Sequence, residues 1–240
     1  MLALDHVGSI PRAIRSRLDA NRDRLSSVQY FDHLLQWPEL KSAAADLDSI
    51  IRGSKVLAYH CTKELQPGLI ASSGLRTLSL ETHIADFIAH VARVAPDLES
   101  DFRAGLDRWL QRRETRYREG QVWFCLTRDL VSDGTEDFFT YYGGEALYRA
   151  FPESDRCRSF LASLGRAVVV EVSIPADELR LVPTFACARP LITRYARTFN
   201  PTFELEDLEG HLLRPVAPSE VLQVHEAPEF LKPTSTVTTG

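Results

Sequence analysis

Apolar residues recur at helical spacing through the first 52 positions. Ile14 and Leu18 form one face, Phe31, Leu34 and Leu35 a second, and Leu40, Ala44, Leu47, Ile50 and Ile51 a third, with interruptions at Pro11 and Pro38. The period changes at Gly53-Ser54. VLAYH (56–60) is short and apolar enough for a buried strand, and helical spacing returns after it up to Ser72-Ser73-Gly74. A second helical block is predicted over 82–119: Ile84, Phe87, Ile88 and Val91 form one stripe, Pro96-Asp97 breaks it, and Phe102, Leu106, Trp109 and Leu110 form the next.

Beyond Gly120 the pattern turns to strands. These are QVWFCLT (121–127), AVVVEVSI (167–174), a short piece from Leu179 to Val182, HLLRPV (211–216) and EVLQVHE (220–226), with helices expected at 136–150 and 155–164. Helices, one strand, more helices and then mostly strands, with little regular alternation, predict an α+β fold rather than a doubly wound sheet. The expected organisation is a helical N-terminal region (1–52), a main domain (53–230) and a polar tail (231–240) that frays.

Composition narrows the classes. The 240 residues are 44% hydrophobic and 25% charged, which suits a globular chain and excludes disorder, collagen and coiled coil as the main theme. Lys and Arg number 28 against 33 Asp and Glu, so bulk charge does not attract phosphate backbones or anionic membranes, and any nucleic-acid contact requires a local patch. Cys61, Cys125, Cys157 and Cys187 are spaced as neither a metal site nor a dense disulfide framework, and are expected to be buried or idle thiols. No apolar stretch of about 18 residues occurs, and the N-terminus lacks the apolar core of a secretory signal. A cytosolic protein is expected, unless a secretion system delivers it to a target cell.

No GxSxG, HExxH, Walker or GxGxxG signature is present. What stands out is the polar group Tyr59-His60-Cys61-Thr62 at the close of a buried strand, although a lone strand-end histidine is commonly structural. Three further segments join it. YHCTKELQPGLIASSGL (59–75) resembles the opening motif of ADP-ribosyltransferases of the diphtheria-toxin and poly-ADP-ribose-polymerase type. VWFCLT (122–127) is similar to that family's second strand, FFTYYGGEALYRAF (138–151) to the following helix with its aromatic nicotinamide platform, and PSEVLQV (218–224) to the late strand that opens with the catalytic glutamate. The resemblance covers roughly 53–230, with a helical insertion at 80–119 that has no counterpart in the minimal fold.

The resemblance implies a split mixed β-sheet, NAD as substrate, and transfer of ADP-ribose to a macromolecular acceptor, as in toxins, effectors and phage-defence enzymes. Cleaving the nicotinamide glycosidic bond builds an oxocarbenium-like ribose, so a site needs a carboxylate at the ribose and a stacking surface for the leaving ring. Glu220 is the expected carboxylate, with Glu226 as its alternative on the same strand. His60 and Thr62 are expected to bind the adenosine ribose and the nicotinamide amide region. Tyr142, with Tyr141 as competitor, is expected to stack on nicotinamide, and Trp123 and Phe124 to form a second aromatic wall or simply core.

Gly143-Gly144 costs a helix up to about 2 kcal/mol relative to two alanines. Something therefore approaches the backbone there, either cofactor or a packed strand. Pro218 stands two residues before Glu220, so the Glu/Gln-x-Glu pair associated with arginine or asparagine acceptors is absent. Glu204, Glu206 and Glu209 read as a solvated acidic loop. Arg112, Arg113 and Arg116, with Tyr117, form either a solvated face, helped by a Glu114–Arg118 pair, or a nucleic-acid patch, although a protein is the commoner acceptor in the family. Two rivals remain: an NAD glycohydrolase on the same fold, and a non-enzymatic partner-binding module in which His60 and Glu220 are structural.

Overall fold

A computed structural model describes residues 1–111, 117–152, 154–181 and 183–232. In chain order the elements are α1 (Arg12–Asp19), α2 (Arg22–Ser26), α3 (Phe31–Leu34), α4 (Pro38–Arg52), β1 (Lys55–Glu64), α5 (Leu69–Ser73), α6 (Leu80–Val94) and α7 (Glu99–Leu110). There follow β2 (Val122–Cys125), α8 (Arg128–Val131), α9 (Glu136–Thr140), α10 (Glu145–Tyr148), α11 (Asp155–Ser163) and β3 (Arg166–Pro175). The chain continues with α12 (Arg189–Arg197), β4 (Glu209–Leu212), β5 (Val221–Glu226) and α13 (Ala227–Phe230). The strands form one sheet in the order β4-β2-β1-β3-β5, and the fold is α+β as the pattern predicted.

The chain divides into two compact units: Met1–His60 with Val122–Leu130 and Glu171–Arg214, and Cys61–Gln121 with Val131–Val170 and the described residues from Pro215 onward. The division therefore falls inside β1 and β3 rather than at residue 52, where the sequence suggested a boundary. The N-terminal helices share a unit with α12, against which α2 and α3 pack.

In the first unit α12 is buried all round, from Pro190 to Ala196. A helix without a solvent face must place its polar side chains on internal partners. Arg194 Nη2 donates to Asp129 at 2.6 Å and to Asp207 at 2.8 Å, and the Tyr195 hydroxyl donates to Asp19 at 2.5 Å. Arg189, at the same helix, pairs with Glu206 at 2.7 Å, so Glu206 belongs to an ion pair and not to a freely solvated loop. Pro38 opens α4 at its first turn, where a missing N–H costs nothing.

The second unit is built around a helical cluster of Phe87, Ile88, Val91, Leu98, Phe102, Leu106, Leu147, Phe151, Cys157 and Leu161. The segment 80–119, read as an insertion, thus supplies the core of this unit through α6 and α7. Phe102 sits edge-on to both Phe87 and Phe151, at 5.0 and 4.8 Å between centroids. Gly105 is where Phe151 meets α7: a Cβ there would lie 2.1 Å from the phenyl ring. Ser79 and Ser154 cap α6 and α11 by accepting the N–H groups of Thr82 and Cys157.

Several element boundaries differ from the sequence expectation. β1 runs on to Glu64, so His60 lies within the strand rather than at its end, and α5 is only five residues long. Thr-Lys-Glu looks like a polar exit, but each buried charge finds a partner: Glu64 accepts from the Ile70 N–H at 2.9 Å and from Arg166 at 3.0 Å, and Lys63 donates to two carbonyls. The single helix expected over 136–150 is two, α9 and α10, parted by Gly143 and Gly144 at φ 80° and 54°. Val182, Arg112, Arg113, Glu114 and Arg116 lie outside the described residues, as does the tail from 233.

Candidate functional site

His60 is half-buried, and its Nδ1 lies 2.9 Å from the Trp123 carbonyl oxygen. A carbonyl only accepts, so Nδ1 carries the proton and the neutral ring presents Nε2 as an acceptor. Burial holds the imidazole pKa below its ordinary value, outweighing the carbonyl, which raises it. The Phe124 ring stands edge-on at 6.1 Å. Thr62, two residues along the same strand, is half-buried on the same face by strand alternation.

Trp123 is placed differently from expectation. Tyr59 pairs with Cys125 across β1 and β2, and Trp123 with His211 across β2 and β4. Alternation then puts Phe124 on the face of His60 and Trp123 on the opposite face, where its indole stacks on His211 at 4.7 Å. Trp123 orients His60 through its backbone, and of the two rings expected as a wall it is that of Phe124 that stands beside the histidine.

The two tyrosines of the second unit have unequal surroundings. Tyr141 stacks on Tyr148 at 5.3 Å, its hydroxyl accepts from Arg158 at 2.9 Å, and the same guanidinium lies 4.8 Å from its ring centre. Tyr142 is partly buried, lies near-parallel to Phe87 at 6.3 Å, and donates its backbone N–H to the Leu161 carbonyl at 3.1 Å. Burial pushes its phenol pKa up. What approaches Gly143 is protein: a Cβ there would meet the Leu147 side chain at 2.2 Å and His83 Nε2 at 3.2 Å.

Glu220 ends the 3-10 turn Pro218–Glu220 immediately before β5, and its Oε2 accepts the Ala217 N–H at 2.9 Å. This bond fixes the carboxylate one residue ahead of the strand it was expected to open. Glu226, at the other end of β5, is ion-paired with Arg166 at 3.0 Å, and Arg166 also holds buried Glu64. Arg118 pairs with Glu145 at 3.0 Å.

Sequence reading missed Lys63, Glu64 and Arg166. The signal available was period two: Tyr59, Cys61 and Lys63 are all buried and alternate along β1. All four cysteines are buried, and no group of three His, Cys, Asp or Glu side chains among the described residues could hold a metal ion. Among the described residues no helix is long and apolar enough to cross a membrane.

A cleft of about 680 Å³ in the first unit runs from Gly8 to Arg12 and past Arg15, Ser16 and Asp19. Another of about 320 Å³ in the second unit lies among Gly105, Arg108, Trp109, Arg149 and Phe151. Neither is lined by a residue expected to touch NAD. No protein-family model, no curated protein and no solved structure matches the chain.

Proposed function

We propose that the chain is an ADP-ribosyltransferase that cleaves NAD and passes ADP-ribose to a macromolecular acceptor, protein or nucleic acid. The observation that carries this is His60: a strand histidine held neutral, its tautomer set by the Trp123 carbonyl at 2.9 Å, with Nε2 left as a hydrogen-bond acceptor for a ribose hydroxyl. Thr62 contributes a second polar group on the same strand face. Tyr142 is the better nicotinamide platform, because Tyr141 carries the Arg158 guanidinium on its hydroxyl and over its ring. Glu220 is assigned as the carboxylate because it stands at the start of the late strand, where the resemblance puts the catalytic glutamate; its Oε2 accepts the Ala217 N–H, and Glu226 at the far end of β5 pairs with Arg166.

In the reaction the bond between the ribose C1′ and the nicotinamide nitrogen breaks, and its electron pair leaves with nicotinamide. The Glu220 carboxylate, hydrogen-bonded to the ribose 2′-hydroxyl, stabilises the positive charge on the sugar. A nucleophile of the acceptor forms the new bond at C1′ and releases its proton to solvent. Because the glutamate acts on charge that develops in the transition state, Glu220→Gln should lower turnover about 100- to 1,000-fold while leaving NAD binding near its parent value.

Incubation with labelled NAD and whole lysate, followed by nuclease or protease digestion of the product, tests the proposal and names the acceptor. Labelled macromolecule is expected, and it should vanish in Glu220→Gln but persist in Glu226→Gln. Free ADP-ribose without labelled macromolecule makes the protein a glycohydrolase. No thermal stabilisation by millimolar NAD overturns the NAD assignment and leaves a partner-binding module.

A further inference from the structure

Lys63 is a buried cation that the proposed chemistry does not use. It is 7% exposed on β1, and its Nζ donates to the Ala162 carbonyl at 2.6 Å and the Thr140 carbonyl at 3.2 Å. No carboxylate lies within ion-pair distance of it among the described residues. An ammonium taken out of water loses strong hydration, and two carbonyl dipoles compensate it less fully than an opposite charge.

The location of the two carbonyls is informative. Thr140 ends α9 and directly precedes Tyr141 and Tyr142, while Ala162 directly follows Leu161, the residue whose carbonyl receives the Tyr142 N–H at 3.1 Å. Lys63 and the Tyr142 backbone therefore tie the same two stretches together, and the lysine ties both to β1. Past Tyr142 the chain runs into two glycines at positive φ, which supply no side chain to hold the turn.

We propose that Lys63 is a positioning residue: it fixes the Tyr141-Tyr142 segment to the strand that carries Thr62, and so sets the place of the Tyr142 ring on which nicotinamide stacks. This extends the assignment of Tyr142 made above and depends on it. Substrate enters only through that ring, so Lys63 acts without touching NAD.

Amide hydrogen exchange on the full chain reads the junction with no NAD present, and turnover of NAD reads its consequence. Lys63→Met keeps the length of the stem and removes the donors. It should speed exchange of the Tyr142 amide about tenfold while α6 and α7 exchange as in the parent. Measured well below its unfolding midpoint, the variant should lose about tenfold or more in kcat, with a smaller change in KM. A merely structural lysine leaves turnover per folded molecule unchanged.

Lys63→Arg, which keeps charge and donors, should restore both readouts toward the parent. If Lys63→Met does not fold, Lys63→Gln carries the same expectations. Unchanged exchange at Tyr142 overturns the proposal, and so does faster exchange with parental turnover. A parent protein that neither binds nor cleaves NAD removes the nicotinamide role together with the proposed function. That failure is told apart from failure of the lysine by the exchange measurement, which needs no NAD.

Discussion

Each unit buries a cation, and the two cations are compensated in different ways. Arg194 in the first unit has 8% of its side chain exposed and two carboxylates, Asp129 and Asp207, within 2.8 Å. Burial alone would lower its pKa, but the hydrogen bonds to Asp207 and Asp129 outweigh it and raise the value. Lys63 in the second unit is as deeply buried but meets only carbonyls, and burial pushes its pKa down. Charge answered by charge locks α12 into its unit. Charge answered by dipoles joins a strand to a loop and is worth less to stability than to geometry.

The contrast is sharpest in denaturant. Arg194→Met leaves the partly buried Asp207 carboxylate without its cation, while exposed Asp129 turns to water, and should cost about 2 kcal/mol of unfolding free energy by urea denaturation. Lys63→Met leaves two neutral carbonyls, each short of one donor, and should cost about 1 kcal/mol in the same assay. Equal losses in the two variants would break the distinction between locking and positioning.

The smallest effect is in the pH response. Burial lowers the pKa of His60, of His211 and of His83, with Arg76 and Arg180 acting in the same direction on His83 and His211. An unfolded imidazole titrates near its ordinary value of about 6.5 and binds protons before the folded one does. These groups therefore contribute full stability above that value. The contribution falls as pH drops through it and levels off once the folded pKa values are passed. Thermal unfolding followed across this window should show the decline, and His60→Gln should make it shallower. A midpoint that rises as pH falls would contradict the burial of these rings.

Much of the α+β layout was legible locally. The stripes of Phe87, Ile88 and Val91 and of Phe102 and Leu106 recur at helical spacing whatever they pack on, and Val168, Val169 and Val170 form a strand by their own steric preference. Those outcomes rest on neighbours within one turn or one strand, so sequence alone determined them.

Contacts between distant positions decided the rest. Lys63 and Glu64 remain in β1 because Thr140, Ala162 and Arg166, from 77 to 102 residues away, satisfy them. The face taken by Trp123 follows from its register with His211, which no run of residues around Trp123 encodes. Glu226 is occupied because Arg166 reaches it, and Tyr141 is occupied because Arg158 and Tyr148 do. A polar side chain in isolation carries the same chemistry wherever it falls in the chain. Whether it is spent on the fold or left over for a substrate is set by the partners that tertiary packing brings within hydrogen-bond distance.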